Sequence, residues 1–403
     1  MDIRQNLGIK IESPYWDKAY NLAKREEEVP FWLTEEYIKY LNDECNVLRM
    51  NYERILEALP YVTENEDLLL LAKTLYYIIA EKKKAKEAFS FLEFPVAPHD
   101  APCSLGYDFV GIFPILAHIK PSWEELEKRG IDKQIISDSL VTPDNLVKYT
   151  YERLGKYGLG NNEFLAYDVS VYINYLKIGR LRFEMRPSAP SNVRIFENDG
   201  KICILMNNVK MHRSGNVLGS YGCCDEEGSF LASFDETENE YVGCAVDNET
   251  NLAVNEKVVL PKKDWKPVLL PGDNIMRVHI PYGGRLDKEQ CEDSYKRARE
   301  VFEQSYPEIK FTAFTIGCWM LSPVLREILP KESNIIEFQS KYNIFPEKSG
   351  AVDAFMYVFG FRGASVDEID LQNLPETNSL MRGVKKKALE GKFVYECGGF
   401  FKW

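Results

Sequence analysis

Histidine is scarce, with four in 403 residues, at positions 99, 118, 212 and 279. The nine cysteines are scattered, odd in number and include no Cys-x-x-Cys pair. Such spacing leads us to expect neither a zinc site nor a disulfide framework, and adjacent Cys223 and Cys224 read as a reduced turn or strand pair. No run approaches the ~18 apolar residues of a spanning helix. The opening Met1-Asp2-Ile3-Arg4-Gln5-Asn6 has no apolar stretch of the signal-peptide kind. Neither G-x-x-x-x-G-K-S/T nor G-x-G-x-x-G occurs, so nucleoside triphosphates and dinucleotides are poor candidates. Positive charge is also in deficit, 50 Lys and Arg against 62 Asp and Glu for a net −12. That balance argues against nucleic acid as the main partner. The expectation is a reduced, cytoplasmic protein with no membrane, metal or nucleic-acid partner.

What is present is globular in character, 45% hydrophobic and 28% charged. One core rarely serves more than ~250–300 residues, so two domains are expected. Residues 1–155 read as helical. Ile38, Leu41, Cys45, Leu48, Tyr52, Ile55 and Leu59 recur at spacings of three and four, predicting one helix opened by Thr34 and stopped by Pro60. Asp67 to Lys84 repeats the pattern. Ser122-Trp123-Glu124-Glu125 has the form of a capping box, with Gly130 closing that helix. Thr142-Pro143-Asp144 predicts another start and Gly155 its end. The glycine-rich stretch 155–162 is the expected boundary, giving domains 1–155 and 163–403.

Beyond it the period becomes alternating. Strands are expected at Val169 to Tyr175, Leu181 to Met185, Lys201 to Met206 and Tyr241 to Val246, with a tight reversal at Lys177-Ile178-Gly179-Arg180. The connection Asp235 to Glu240 reads as an acidic loop. Residues 274–318 break this antiparallel pattern. Asn274 to Ile280 is a strand and Pro281-Tyr282-Gly283-Gly284 a turn. A helix capped by Asp287 with Gln290 at the capping-box position then runs to Pro307, and Lys310 to Cys318 is a second strand. That order is a βαβ crossover in an otherwise antiparallel sheet, an α+β class. A glycine turn entering a helix N-terminus suits phosphate or pyrophosphate, because free N–H groups and the helix dipole meet there.

This arrangement resembles the GNAT superfamily of acyl-CoA-dependent N-acyltransferases. His279-Ile280-Pro281, Gly283-Gly284, Leu286, Cys291, Ser294, Ala298, Phe302, Trp319, Leu321, Leu325 and Leu329-Pro330 follow in order. Ile178-Gly179-Arg180-Leu181-x-Phe183-Glu184 and Leu374-Pro375-x-Thr377-x-Ser379-Leu380-x-Arg382 also fit. Over roughly residues 30–385 the chain is similar to bacterial acyltransferase-domain proteins that pair a helical N-terminal domain with a GNAT-like C-terminal domain. The resemblance implies acyl-CoA as co-substrate and a small-molecule or peptide amine as acceptor. It also implies a CoA-binding crossover of Val278, Ile280, Tyr282, Gly283, Gly284, Arg285 and Leu286. The superfamily signature Q/R-x-x-G-x-G/A is absent here, which leaves the holding to backbone N–H groups.

The resemblance puts His279 and Cys318 beside a bound thioester. His279 reads as a proton relay or as a strand histidine bonded to its neighbours. Cys318 reads as a proton donor to departing CoA or as an inert buried thiol. Arg180 and Glu184 read as acceptor-recognition residues or as an ion pair within their own hairpin, and Trp319 as a substrate-side or packing residue. His99 and His118 read as loop residues near a lid, and Lys82 to Lys84 and Lys385 to Lys387 as solvated faces or contacts to the CoA 3′-phosphate. Two rivals to a direct-attack N-acyltransferase are a non-catalytic CoA- or peptide-binding module and a cysteine hydrolase built on Cys318 and His279.

Overall fold

The computed structural model describes residues 3–82, 85–96, 104–166, 174–186, 188–281, 283–361 and 363–403, without the side chains of residues 82 and 153. Tyr282, His99, Cys103, Lys83 and Lys84, and the strand residues expected from Val169 to Ile173, lie outside them. The chain is α+β and divides into two compact units, 1–178 and 179–403. The division falls downstream of the glycine-rich stretch. Residues of that stretch bond within the first unit, where the Leu159 N–H donates to the Asp108 carbonyl and Asn161 accepts from the Phe94 N–H.

The first unit is helical. Its longest helix, Glu66–Lys82, buries Leu68, Leu71, Ala72, Leu75, Ile78 and Ile79. Two expectations are corrected here. The helix expected across 38–59 is two, Glu35–Asp43 and Tyr52–Thr63, and Pro60 lies inside the second. Asn46 turns the chain with φ of 51° between them. Buried Asp144 then accepts from the N–H groups of Met50 and Asn51 and from the Asn51 amide, which opens the second helix. The heptad-like spacing marked burial, and Ile38, Leu41, Cys45, Leu48, Ile55 and Leu59 are all buried, but it did not mark continuity. Ser122 is no cap either, because it sits inside helix Ile119–Lys128. Thr142–Leu154 and its left-handed Gly155 stop are as expected. Among the described residues no helix is long and apolar enough to cross a membrane.

In the second unit two large sheets pack face to face, and Val209–Met211 pairs with Phe230–Ala232 in a small third one. In the first we label β1 Leu181–Arg186, β2 Ile275–His279, β3 Ala313–Cys318, β4 Asn343–Pro346 and β5 Cys397–Lys402, which lie in the order β4-β5-β3-β2-β1. All neighbours are antiparallel except β2 and β3. The crossover helix, α1, spans Lys288–Ser305. Asp287 caps it by accepting from the Gln290 N–H, as the sequence predicts. The second sheet is antiparallel, built on Val193–Asn198, Lys201–Met206, Glu240–Val246, Ala253–Pro261 and Lys266–Leu269. Phe234–Glu236, expected as loop, pairs with Glu240–Val246. Ile195, Ile204 and Met206 of this sheet meet Ile275, Ala313, Phe345 and Phe400 of the first.

The opposite face of the first sheet is covered by α1. Tyr295 packs edge-on against Phe183, Phe314 and Phe401, and its hydroxyl lies 2.7 Å from that of Tyr342. Alternation along the strands therefore puts Phe314, Ile316 and Cys318 on the helix face. Arg277 and His279 fall on the other, with Glu184.

Candidate active site at the strand ends

The parallel ladder between β2 and β3 is short. It pairs Ile275 with Ala313, Met276 with Phe314 and Arg277 with Thr315, and stops. Both strands continue, β2 to His279 against β1 and β3 to Cys318 against β5. The two strands thus part company over their last residues. Successive residues of a strand turn their N–H and C=O groups to alternate neighbours, so one of Val278 and His279 presents these groups to the gap.

Beyond β2 lies the crossover loop. Gly283 and Gly284 adopt φ of 84° and 74°, the left-handed region that side chains disfavour. The N–H groups of Gly283, Gly284, Arg285 and Leu286 donate to nothing among the described residues. Leu286 is buried and, with Lys288, Cys291, Tyr295, Phe338 and Lys341, lines a cavity of about 170 Å³ beside the first turn of α1.

Arg180 does not pair with Glu184, so the hairpin ion pair is not what forms. Its guanidinium bonds to three carbonyls of the crossover loop instead. Glu184 meets Arg186 at 3.0 Å and His279 Nε2 at 2.7 Å. Burial, the largest single influence, would raise this carboxyl, but the hydrogen bond from His279 and the charge and hydrogen bond of Arg186 together outweigh it and hold it below the usual range. The His279 imidazole is thus held by a carboxylate on the neighbouring strand.

Cys318 faces the helix side. Burial pushes its thiol up to about 12, against the opposing N–H groups of Met320 and Leu321. His279 and Cys318 thus stand on opposite faces of the sheet, which disposes of a Cys–His hydrolase pair. Trp319 is buried among Ala354, Phe355 and Val358, with its ring stacked on Tyr357. His118 is buried against Tyr76 in the first unit. Lys385 and Lys387 are engaged by Glu376 and Glu327.

Sequence reasoning missed the carboxyls around the strand ends. A Cβ on Gly317 would sit 2.8 Å from Glu347 Oε2 and 3.4 Å from Arg277 Nη2, so both side chains lie over the gap's rim on the His279 face. Burial raises Glu347, and Arg277 opposes it. Glu396 precedes Cys397, the partner of Cys318 across the ladder. Burial, then the hydrogen bond shared with Asp353, raises it to about 7. Nothing local marked these residues, because Glu347, Asp353 and Glu396 converge only through the fold. Among the described residues no group of three His, Cys, Asp or Glu could hold a metal ion.

Residues 175–401 match the family model of the GNAT-like C-terminal domain. No curated protein matches the chain. Among solved structures, an acyltransferase in complex with CoA and 10C-teicoplanin is similar with a TM-score of 0.59 at 18% identity, covering 100% of this chain and 99% of that one. An acyltransferase in complex with decanoyl-CoA and teicoplanin gives the same values. An acyltransferase mutant in complex with octanoyl-CoA, again 18% identical over the same shares, has a TM-score of 0.55. At such identity the likeness speaks for the fold.

Proposed function

The chain belongs to the GNAT-like C-terminal domain family, and on that premise we propose that it transfers an acyl group from acyl-CoA to an amine. The observation that carries this reading is the parting of β2 from β3 beyond Arg277 and Thr315, next to a loop in which the N–H groups of Gly283 to Leu286 find no acceptor among the described residues. Gly283 to Leu286 and the α1 N-terminus hold the CoA pyrophosphate, where aligned N–H groups and the helix dipole favour an anion. The pantetheine arm enters on the α1 face, and the gap exposes the thioester to an amine arriving from the face that bears His279 and Glu184.

His279, oriented by Glu184, takes the ammonium proton. The amine nitrogen then attacks the thioester carbon, whose oxygen accepts from the strand N–H at the gap. The C–N bond forms and the C–S bond breaks. The Cys318 thiol steadies the leaving thiolate by hydrogen bonding; the second proton, which the nitrogen sheds on becoming an amide, goes to solvent, and the thiolate takes up a proton from solvent. Trp319 packs the base of the site.

The similar acyltransferases hold decanoyl- and octanoyl-CoA, so medium-chain acyl-CoA is the donor to test first. Teicoplanin in those complexes makes a peptide-borne amine the first acceptor class. The test is thiol release from octanoyl-CoA across a panel of small and peptide amines, with acylated product identified by mass. Amine-dependent release is expected. Tight CoA binding with no release on any amine would replace the enzyme with a binding module.

A further inference from the structure

Arg180 stands at the turn before β1, and its side chain reaches the crossover loop about a hundred residues later. Nε donates to the Arg285 carbonyl at 2.9 Å, Nη1 to Pro281 at 3.1 Å and Nη2 to Gly284 at 3.1 Å. Its main chain is fastened as well. The Arg180 N–H donates to Ser294 Oγ at 2.8 Å, and that hydroxyl donates to the Gln290 carbonyl at 2.6 Å. A Cβ on Gly179 would lie 2.6 Å from the same hydroxyl, and its φ of 60° is left-handed, so glycine suits this turn.

Two consequences follow from peptide geometry and charge. In a trans peptide the C=O and the following N–H point in opposite directions. Drawing the carbonyls of Gly284 and Arg285 onto the guanidinium therefore turns the N–H groups of Arg285 and Leu286 away from it, toward the open side of the loop. Those two N–H groups are among the ones that find no acceptor. Second, all three guanidinium nitrogens are spent on neutral carbonyls, and among the described residues no carboxylate is a partner of Arg180. A half-buried cation without a counter-charge is costly, and an anion on the far side of the loop would supply one.

We infer that Arg180 is the positioning residue of the CoA pyrophosphate site. It aims the loop's N–H groups at the anion and adds a half-buried positive charge to that of exposed Arg285 in the loop itself. This inference rests on the acyltransferase reading and deepens it. The superfamily loop signature carries a glutamine or arginine of its own. Here that place is taken by Ile280 and Pro281, and the guanidinium comes from the first hairpin.

The experiment compares wild type, Arg180→Gln and Arg180→Lys by calorimetric titration with CoA, with pantetheine (which lacks the pyrophosphate) and with inorganic pyrophosphate. Steady-state kinetics on octanoyl-CoA and octanoyl-pantetheine accompany it. Arg180→Gln should weaken CoA and pyrophosphate binding by roughly 50-fold, in the range of a lost charge-assisted contact. It should raise KM for octanoyl-CoA by a similar factor while kcat stays within about threefold. Both parameters for octanoyl-pantetheine should stay put. Arg180→Lys keeps the charge but not the three-way geometry and should fall between. Equal CoA affinity in wild type and both variants would overturn the inference alone. An equal loss for CoA and pantetheine would also overturn it, since that is the mark of general damage. A wild type that binds neither CoA nor pyrophosphate would overturn the acyltransferase reading together with it.

Discussion

Cys318 should resist alkylation. Burial pushes its thiol up to about 12 from an ordinary 9. At pH 8 the thiolate fraction is then ~10⁻⁴, against ~10⁻¹ for an ordinary thiol, a deficit of ~10³ in the reactive form. A more basic thiolate is intrinsically more nucleophilic, which returns ~20–30-fold. The net expectation is alkylation by iodoacetamide at least ~30-fold slower than that of an open thiol. Timed labelling followed by peptide mass spectrometry reads every cysteine in one sample, and exposed Cys224 reports that the reagent is active. A thiol held protonated cannot carry the acyl group, so Cys318→Ser should keep most activity. Cys318→Ala should lose about tenfold, the worth of one hydrogen bond. Labelling of Cys318 as fast as Cys224, or an acyl thioester trapped on Cys318 with a dead serine variant, would refute direct attack in favour of a ping-pong nucleophile.

Gly284→Val places a β-branched residue at φ of 74° and closes the backbone to the anion. The apo protein should lose ~1–2 kcal/mol yet fold. The ~2.7 kcal/mol of stabilisation expected from CoA at a hundredfold excess over Kd should vanish from its melting curve, and an unchanged CoA shift would remove the loop from the site. Glu396→Gln should flatten the stability profile. The folded state holds this carboxyl's proton up to about pH 7 and the unfolded chain only to about 4.5, so stability falls as pH rises between them. The group is half-exposed and screening trims the effect to about 1 kcal/mol, or ~2–4 °C between pH 5 and 8. A wild-type melting profile equal to the variant's would contradict the assignment. Glu184→Gln removes the carboxylate that orients His279 and should cut kcat/KM about tenfold, whereas His279→Ala should abolish the pH dependence of kcat. A pH–rate profile unmoved by both would make the pair structural.

The βαβ crossover was legible because its signals are local: alternation to Ile280, two glycines, the Asp287 cap and the three–four spacing of Cys291, Tyr295, Ala298 and Phe302. Helix continuity across 38–59 was not, because the break depends on Asp144, nearly a hundred residues away, reaching the Met50 and Asn51 N–H groups. The site divides the same way. His279 and Cys318 could be named from their places at strand ends, but the face each occupies depends on register and on where α1 packs. Arg180 was visible as a charged residue in a hairpin, and its nearest carboxylate in sequence, Glu184, was the wrong partner to expect. Its true acceptors are main-chain carbonyls, which carry no sequence signal. The Glu396–Asp353 pair and Glu347 came together only through the packing of β4, β5 and the helix Val352–Phe359.

In the proposed complex acyl-CoA lies on the α1 face, its pyrophosphate on the crossover loop and its thioester at the gap between β2 and β3. A crystal structure with CoA bound tests this most directly. Pyrophosphate oxygens should lie within hydrogen-bond distance of the N–H groups of Gly283 to Leu286, and the CoA sulfur between the ends of β2 and β3, near Cys318. CoA bound elsewhere, or bound with its sulfur away from the gap, would contradict it.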